Sequence, residues 1–169
     1  MPVAAAAQTP PRPDLTSLSG GVTQLYQSTR RNVLEAAEAM PEGHYVFKPT
    51  DDVRTFGPII GHVVNTHYNF CTAGGSTATR TMTGNAEQMY TTKADLVTAL
   101  RMSFEFCDAA YAAATDQALL TASRFGQAEI TTGYALVFNV AHDNEHYGNL
   151  VTYMRLKGLV PPSTARTRR

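Results

Sequence analysis

Residues 134–157, YALVFNVAHDNEHYGNLVTYMRLK, form a run without proline that is compatible with one long helix. Apolar residues occupy most of the circumference of this helix, which predicts that it is buried. His142 and His146 lie four residues apart, so a helix stacks both imidazoles on one side, where they can converge on one cation. This run therefore predicts the last helix of the fold and two ligands of a metal site.

The same side of this helix carries a strip of polar side chains. Its members are Asn139, Glu145, Asn149 and Tyr153. Buried polar groups need partners, and a metal ion with its surrounding hydrogen bonds would supply them. Two histidines four residues apart also occur by chance, so the spacing alone is weak evidence for a metal site.

Three further amphipathic patterns predict three more helices. They cover Leu15–Met40, the segment from the capping residue Thr55 to Cys71, and Lys93–Ala114. No strand pattern of comparable length competes with them. The sequence thus predicts an all-α fold, an antiparallel four-helix bundle with long connections, in which side chains on facing helices can build a site.

The second predicted helix repeats the pattern of a polar strip in apolar surroundings. His62 lies in the middle of this strip, whereas His67 lies about 140° away around the helix, so the two cannot share one ion. We expect His67 to be a packed or surface histidine. A cation between the second and fourth helices would be bound by His62, His142 and His146, with room for water, as in reactive zinc sites.

The 169 residues suit one domain, and 14 Lys+Arg balance 14 Asp+Glu, so no basic excess favours nucleic acid. No apolar run reaches the ~18 residues of a membrane span. We expect a single domain at 14–163 and a basic flexible tail at 164–169. Residues 1–13 are interpreted as a disordered leader on a cytoplasmic protein, with the remnant of a trimmed export signal as the alternative.

Two cysteines are too few for a disulfide framework. Cys71 and Cys107 both fall on apolar faces of predicted helices. The pattern favours two buried thiols, and a bridge between them becomes plausible only if the chain is exported.

Two blocks of sequence, VRTFGPIIGHVVNTHYNFC at 53–71 and AHDNEHYGNLVTYMRLKGLVPPS at 141–163, resemble the DinB/YfiT-like superfamily. The similarity extends over about Leu18–Ser163. Members are small four-helix bundles that hold a divalent metal with one histidine after a phrase like IIGH and two spaced H-x3-H. The resemblance places these ligands at His62, His142 and His146, without substitution.

The same resemblance implies a range of activities. Some relatives are transferases that use low-molecular-weight thiols, others are grouped as metal-dependent hydrolases, and homodimers are common. Three imidazoles and a water favour zinc, and nickel, iron or copper also suit these ligands. We therefore expect a divalent-metal enzyme that acts on a small-molecule substrate of unknown identity by activating water or a low-molecular-weight thiol. We expect no nucleic-acid or membrane partner.

Glu145 is the candidate proton acceptor or supporting carboxylate at this site, and Asn65 and Asn139 are candidates to orient imidazoles or substrate. The first alternative is a protein that binds metal without catalysis, as a staple between helices or a stress-related structural protein. A minor alternative takes His142, Glu145 and His146 as the H-x-x-E-H motif of inverted zincin proteases. A third histidine ligand in place of an acidic one would exclude that class.

Overall fold

The computed structural model describes residues 13–168, and its four long helices lie where the periodicity predicts them. The predicted leader, 1–13, lies outside the described residues except for its last member. The helices are α1 Leu18–Ala39, α2 Phe56–Ala73, α3 Ala86–Met89, α4 Lys93–Ala112, α5 Thr132–Leu156 and α6 Pro162–Thr167, and the strands are β1 Ala122–Phe125 and β2 Ala128–Thr131. The predicted all-α class is confirmed, with one small hairpin added to it.

Hydroxyl side chains mark the starts of three long helices. The side chains of Ser17, Thr92 and Thr131 accept hydrogen bonds from free backbone N–H groups in the first turns of α1, α4 and α5. After α5 the backbone turns at Gly158, whose φ of 72° lies in the left-handed region that favours glycine. The stop signal of this helix therefore directly follows the run that predicted it.

The order of the bundle places α2 between α4 and α5, while α1 contacts the same two helices from the opposite side. Cys71 lies opposite Cys107, and His67 lies opposite Ser103, so α2 and α4 run parallel. Parallel neighbours need a connection that returns along the length of the bundle. Residues 74–92 provide it and carry α3.

Helices α2 and α5 run antiparallel. The ring of His62 packs on that of His146, and the ring of Phe70, two turns further along α2, packs on that of Phe138. Residue numbers therefore increase along α2 in the direction in which they decrease along α5. This pairing brings the second and last long helices together along one groove.

All four long helices contribute side chains to one core. Fully buried examples are Val33 of α1, Val63 of α2, Leu100 of α4 and Leu150 of α5. Burying each such side chain contributes roughly 1.5–3 kcal/mol to folding. Among residues 13–168, every helix is too short or too polar for a membrane span.

The two cysteines form a disulfide between α2 and α4, so the prediction of two separate thiols is wrong. Their burial was predicted correctly, since Cys71 and Cys107 are both inaccessible to solvent. Parallel packing brings their Cα atoms to 5.2 Å, within the range that a disulfide spans. The face of one helix predicts burial, but only the packing of two helices shows the bridge.

A short helix, α6, follows the last long helix and packs on α1. Residues 162–167 form α6, and the guanidinium of Arg166 bonds to Glu35 and Asn32 of α1. Within the expected flexible tail at 164–169, residues 164–167 are helical, while Arg169 lies outside the described residues. The basic side chain that suggested a solvated terminus is instead the anchor of this helix.

Candidate metal centre

Three histidines from α2 and α5 meet at one point. Nε2 of His142 lies 3.2 Å from Nε2 of His62 and 3.1 Å from Nε2 of His146. Their potential ligand atoms all lie within 4.8 Å of one another, and this is the one such group among the described residues. The structure thus brings together the three residues that the sequence singles out.

The chemistry of this donor set fits a divalent metal ion. Nitrogens bound to one tetrahedral ion at ~2.0–2.1 Å would be separated by about 3.3–3.4 Å. The two short separations in the cluster, 3.1 and 3.2 Å, are close to that value. The three histidines could therefore hold a metal ion, and no carboxylate among the described residues joins the group.

The environment keeps two of these imidazoles neutral. Burial, followed by the charge of His146, lowers the pKa of His142 from 6.5 to about 4. Burial, followed by the charge of His62, also lowers the pKa of His146. Near neutral pH their ring nitrogens therefore carry lone pairs that a metal can use, because protons do not compete for them.

A carboxylate orients the first of the three rings. Nδ1 of His62 donates to Oε1 of Glu87 at 2.9 Å, and Oε2 of the same carboxylate accepts from Nε of Arg54 at 3.0 Å. With the proton assigned to Nδ1 by this hydrogen bond, Nε2 keeps its lone pair directed at the other two histidines. Glu87 thus fixes the tautomer that coordination requires.

Helix α3 carries Glu87 and is seated directly on α2. A Cβ added at Gly61 would lie 2.8 Å from Cα of Glu87, so the two backbones touch where only glycine fits. The side chain of Asn65 accepts from the N–H of Ala86 at 2.8 Å and donates to Asn85 at 2.7 Å. Asn65, expected to orient an imidazole or substrate, instead holds the start of α3.

The other two rings have polar neighbours at Nδ1. Oγ1 of Thr66 lies 3.4 Å from Nδ1 of His142, and the side-chain amide of Asn149 lies 3.4 Å from Nδ1 of His146. Thr66 uses its own proton on backbone carbonyls of α2, so its oxygen accepts from His142. At His146 it is the amide nitrogen of Asn149 that faces Nδ1, so the same direction of hydrogen bonding there requires the amide to be turned by 180°, which places its oxygen at the ring.

Two predicted helper residues lie in different surroundings. Glu145 is exposed to solvent next to His146, and its negative charge acts to raise the pKa of that ring. Asn139 is buried, and its amide nitrogen donates to the hydroxyl of Tyr111 at 3.2 Å. Asn139 therefore contacts a hydroxyl in the core and no metal-facing imidazole.

A second histidine cluster lies in the core between α2, α4 and α5. Nε2 of His67 lies 3.0 Å from Oδ2 of Asp143, and Nδ1 lies 2.9 Å from Oγ of Ser103. All three residues are buried, and Oδ1 of Asp143 has no hydrogen-bond partner. His67 is therefore a packed histidine, which is one of the two outcomes predicted for it.

This cluster resembles a Ser-His-Asp triad only in composition. Oγ of Ser103 donates to the carbonyl of Leu100 at 2.9 Å, so its proton is not available to His67. A nucleophile must also reach a substrate, and Ser103 is inaccessible to solvent. The His67 cluster is thus an internal hydrogen-bonded link between helices.

A cavity lies on the opposite side of the bundle, between α1 and α4. It has a volume of about 780 Å³, and its lining includes Tyr26, Arg30, Asp108 and Tyr111 but none of the three histidines. Arg30 and Asp108 pair with each other inside it. The three-histidine group therefore lies at the surface groove between α2 and α5, away from this cavity.

Sequence reasoning missed Glu87, Asp143 and Arg54. Glu87 belongs to a connection that reads as a loop, where the one local signal is the helix-capping Asn85 two residues before it. Asp143 faces away from the metal side of α5, and only its partner on α2 explains its burial. The sequence therefore does not specify that Glu87 bonds to His62 or that Asp143 bonds to His67.

Comparison with known proteins gives one family and a set of related folds. The sequence profile of the DinB superfamily matches residues 25–150. A DinB-like protein from Bacillus cereus superposes with a TM-score of 0.72 at 18% identity, covering 86% of this chain and 96% of that one. A DinB-like protein from Bacillus subtilis gives a TM-score of 0.63 at 20% identity, covering 82% and 92%. A search of curated proteins found no match.

Proposed function

The chain belongs to the DinB superfamily, and on that premise we propose that it is a metal-dependent enzyme that binds a divalent ion, zinc by preference, through His62, His142 and His146. Nickel, iron and copper are the other ions that suit three imidazoles. The substrate is a small molecule, and the activated nucleophile is water or a low-molecular-weight thiol.

The observation that carries this proposal is the convergence of three Nε2 atoms from two helices. His142 lies within 3.2 Å of both other nitrogens, and its pKa of about 4 leaves it unprotonated near neutral pH. Three ligands leave a coordination position for an exchangeable partner, which distinguishes catalytic from closed structural zinc sites. Such an ion would lower the pKa of a bound water or thiol.

The chain's own residues prepare the site for that chemistry. Glu87 holds His62 through Nδ1, and Arg54 neutralises the outer oxygen of the same carboxylate. Glu145 is the proposed proton acceptor, since it is exposed beside His146 and can exchange protons with solvent. Loss of Glu145 should then reduce turnover while metal affinity stays the same.

A purely structural ion is the weaker alternative. Helices α2 and α5 already pack along their length, and the buried His67–Asp143 pair joins them in the core. A metal staple would duplicate these links. The protease alternative lacks the acidic ligand it requires, because the third nitrogen comes from His62 and no carboxylate of the described residues joins the group.

The test starts from untagged full-length protein, whose bound metals are measured by mass spectrometry. The zinc-loaded protein is then assayed with p-nitrophenyl esters, and with glutathione or cysteine plus 1-chloro-2,4-dinitrobenzene. We expect turnover that His142→Ala abolishes. Absence of bound metal would contradict the whole proposal, whereas bound metal without turnover above the His142→Ala background would contradict its enzymatic part.

We also propose that the chain forms a homodimer, and the family resemblance alone supports this part of the proposal. Light scattering coupled to size-exclusion chromatography would measure the mass in solution. A mass of about 18 kDa, that of one 18.3 kDa chain, would contradict this part without affecting the metal centre.

A further inference from the structure

An aromatic surface begins one helical turn from the metal-facing histidines. Phe138 precedes His142 by four residues on α5, a rise of about 6 Å. Phe70 of α2 lies across the groove, with its ring 5.4 Å from that of His142 and 5.0 Å from that of Phe138. The polar strip that carries the histidines thus continues directly into aromatic side chains.

The β-hairpin adds a third ring to this surface. Phe125 at the end of β1 stacks on Phe70 with a centroid distance of 5.0 Å. The hairpin is held there by Ser123, whose hydroxyl donates to the carbonyl of Ala73 at 2.7 Å. Both strands are otherwise largely exposed, and Phe125 is their one aromatic side chain.

We define Phe70, Phe125 and Phe138 as the aromatic wall. Phe70 is only 5% exposed and forms its base, while Phe125 and Phe138 are 38% and 42% exposed. Exposed apolar surface of this kind is costly in water and commonly marks a binding site. Because the aromatic wall lies beside His142, a molecule bound to the proposed metal ion would also contact the wall.

We propose that the substrate of this centre carries an aromatic ring or similarly flat apolar group, which packs on the aromatic wall while its reacting end reaches the metal. This inference rests on the proposed function and adds the substrate class to it. The spacing between the metal-facing His142 and the aromatic wall fits such a substrate. One helical turn, about 5.4 Å, is roughly the length of a ring joined to the reacting group through one or two bonds. Flat groups also suit the stacked and T-shaped geometries that the wall already shows.

The test compares two probes that share a metal-binding group. Acetohydroxamic and phenylacetohydroxamic acid are titrated calorimetrically into zinc-loaded full-length protein; the methylene of the second insulates the hydroxamate from the ring. We expect the phenyl probe to bind ten- to a hundredfold more tightly. Phe125→Ala and Phe138→Ala should each reduce that ratio severalfold while leaving the affinity for acetohydroxamic acid unchanged.

Matched controls separate the ring from general effects on the fold. Phe138→Tyr keeps the ring and should keep the ratio, and Leu25→Ala removes an exposed apolar side chain of α1, outside the wall, without effect on it. Circular dichroism and melting temperature verify that each variant is folded. Equal affinities of the two probes in wild type, or a ratio that both alanine variants leave unchanged, would overturn the inference.

Two outcomes distinguish a failure of the proposed metal centre from a failure of the substrate inference alone. If neither probe binds the zinc-loaded protein, the proposed metal centre fails and the inference fails with it. If light scattering shows that Phe138→Ala converts a dimer into monomers, the wall is covered by a second copy of the chain, which overturns the inference and leaves the metal centre intact.

Discussion

Helices α2 and α5 carry two histidine clusters that differ in how their ring nitrogens are satisfied. In the candidate metal centre, the Nε2 atoms of His62, His142 and His146 face one another, and polar groups of the protein lie at Nδ1. In the core, both nitrogens of His67 meet oxygen atoms, those of Ser103 and Asp143. The first arrangement leaves lone pairs for a cation, and the second leaves none.

The difference shows that burial alone does not decide what a histidine does. His146 and His67 are both buried, yet the first faces two other imidazoles and the second faces a carboxylate. What matters is which nitrogen the protein saturates with its own groups. Four experiments on these two clusters would break or sharpen the comparison.

The largest effect is expected from His67→Ala. It leaves Asp143 in the core with an amide contact to Asn139 at 3.4 Å as its remaining side-chain bond. Breaking a buried pair in this way should lower the free energy of unfolding by about 3–5 kcal/mol. Urea denaturation measures the loss, and the folded protein should still bind one metal ion.

The matched control is His44→Ala, which removes a histidine from the short turn Glu42–His44 outside both clusters and should change stability by less than ~0.5 kcal/mol. A loss for His67→Ala as small as that of the control would mean that the buried pair contributes nothing.

The reverse pattern is expected for His142→Ala. Metal binding should weaken by about 100- to 1000-fold, since one protein ligand contributes roughly 2.5–4 kcal/mol to zinc binding in four-ligand structural sites, and a similar loss per ligand is expected at a three-ligand site. The unfolding free energy of the metal-free variant should stay close to wild type. Competition with a chromophoric chelator measures the affinity, again with His44→Ala as control, and undiminished binding would remove His142 from the site.

A smaller effect on affinity is expected from Glu87→Ala. Loss of the carboxylate that orients His62 should weaken metal binding by about 10- to 100-fold. Glu87→Gln keeps an acceptor for Nδ1 and should fall between this variant and wild type. Glu145→Ala should leave metal affinity unchanged, so equal losses for the two alanine variants would contradict the different roles assigned to these carboxylates.

The smallest effect is expected from pH in the metal-free protein. Burial lowers the pKa of His142 to about 4 in the folded state, against 6.5 in an unfolded chain. Above pH 6.5 the His142 imidazole is neutral in both the folded and the unfolded state. Between pH 6.5 and 4 this imidazole binds a proton in the unfolded state but stays neutral in the folded state. Stability should therefore fall as pH decreases through that window. His142→Ala should show a shallower fall, and identical profiles would contradict the assignment.

The sequence was sufficient where the information lies within one helix. The spacing of apolar residues predicts the four long helices, and helical facing places His142 and His146 on one side of α5 and His62 in the polar strip of α2. Both results follow from the fixed rotation of about 100° per residue, which needs no knowledge of packing. The all-α class follows in the same way.

The rest depends on how separate segments pack. Glu87 and Phe125 lie in connections with weak local signals, and their partners on α2 are set by the path of the chain. The bond between Cys71 and Cys107 depends on the parallel packing of two helices, and the order of α6 depends on Arg166 reaching Glu35, 131 residues earlier. No periodicity within one segment encodes such distances.

The 80 residues that separate His62 from His142 determine when the centre can form during synthesis. A chain that emerges from the ribosome presents His62 early but lacks two of the three nitrogens until residues 142–146 are exposed and the last long helix has docked. Contacts between such distant parts form late because loop closure precedes them. Binding of an ion by all three histidines would therefore follow the docking of α5 on α2, and a chain that has been synthesised only as far as residue 141 would offer one of the three nitrogens.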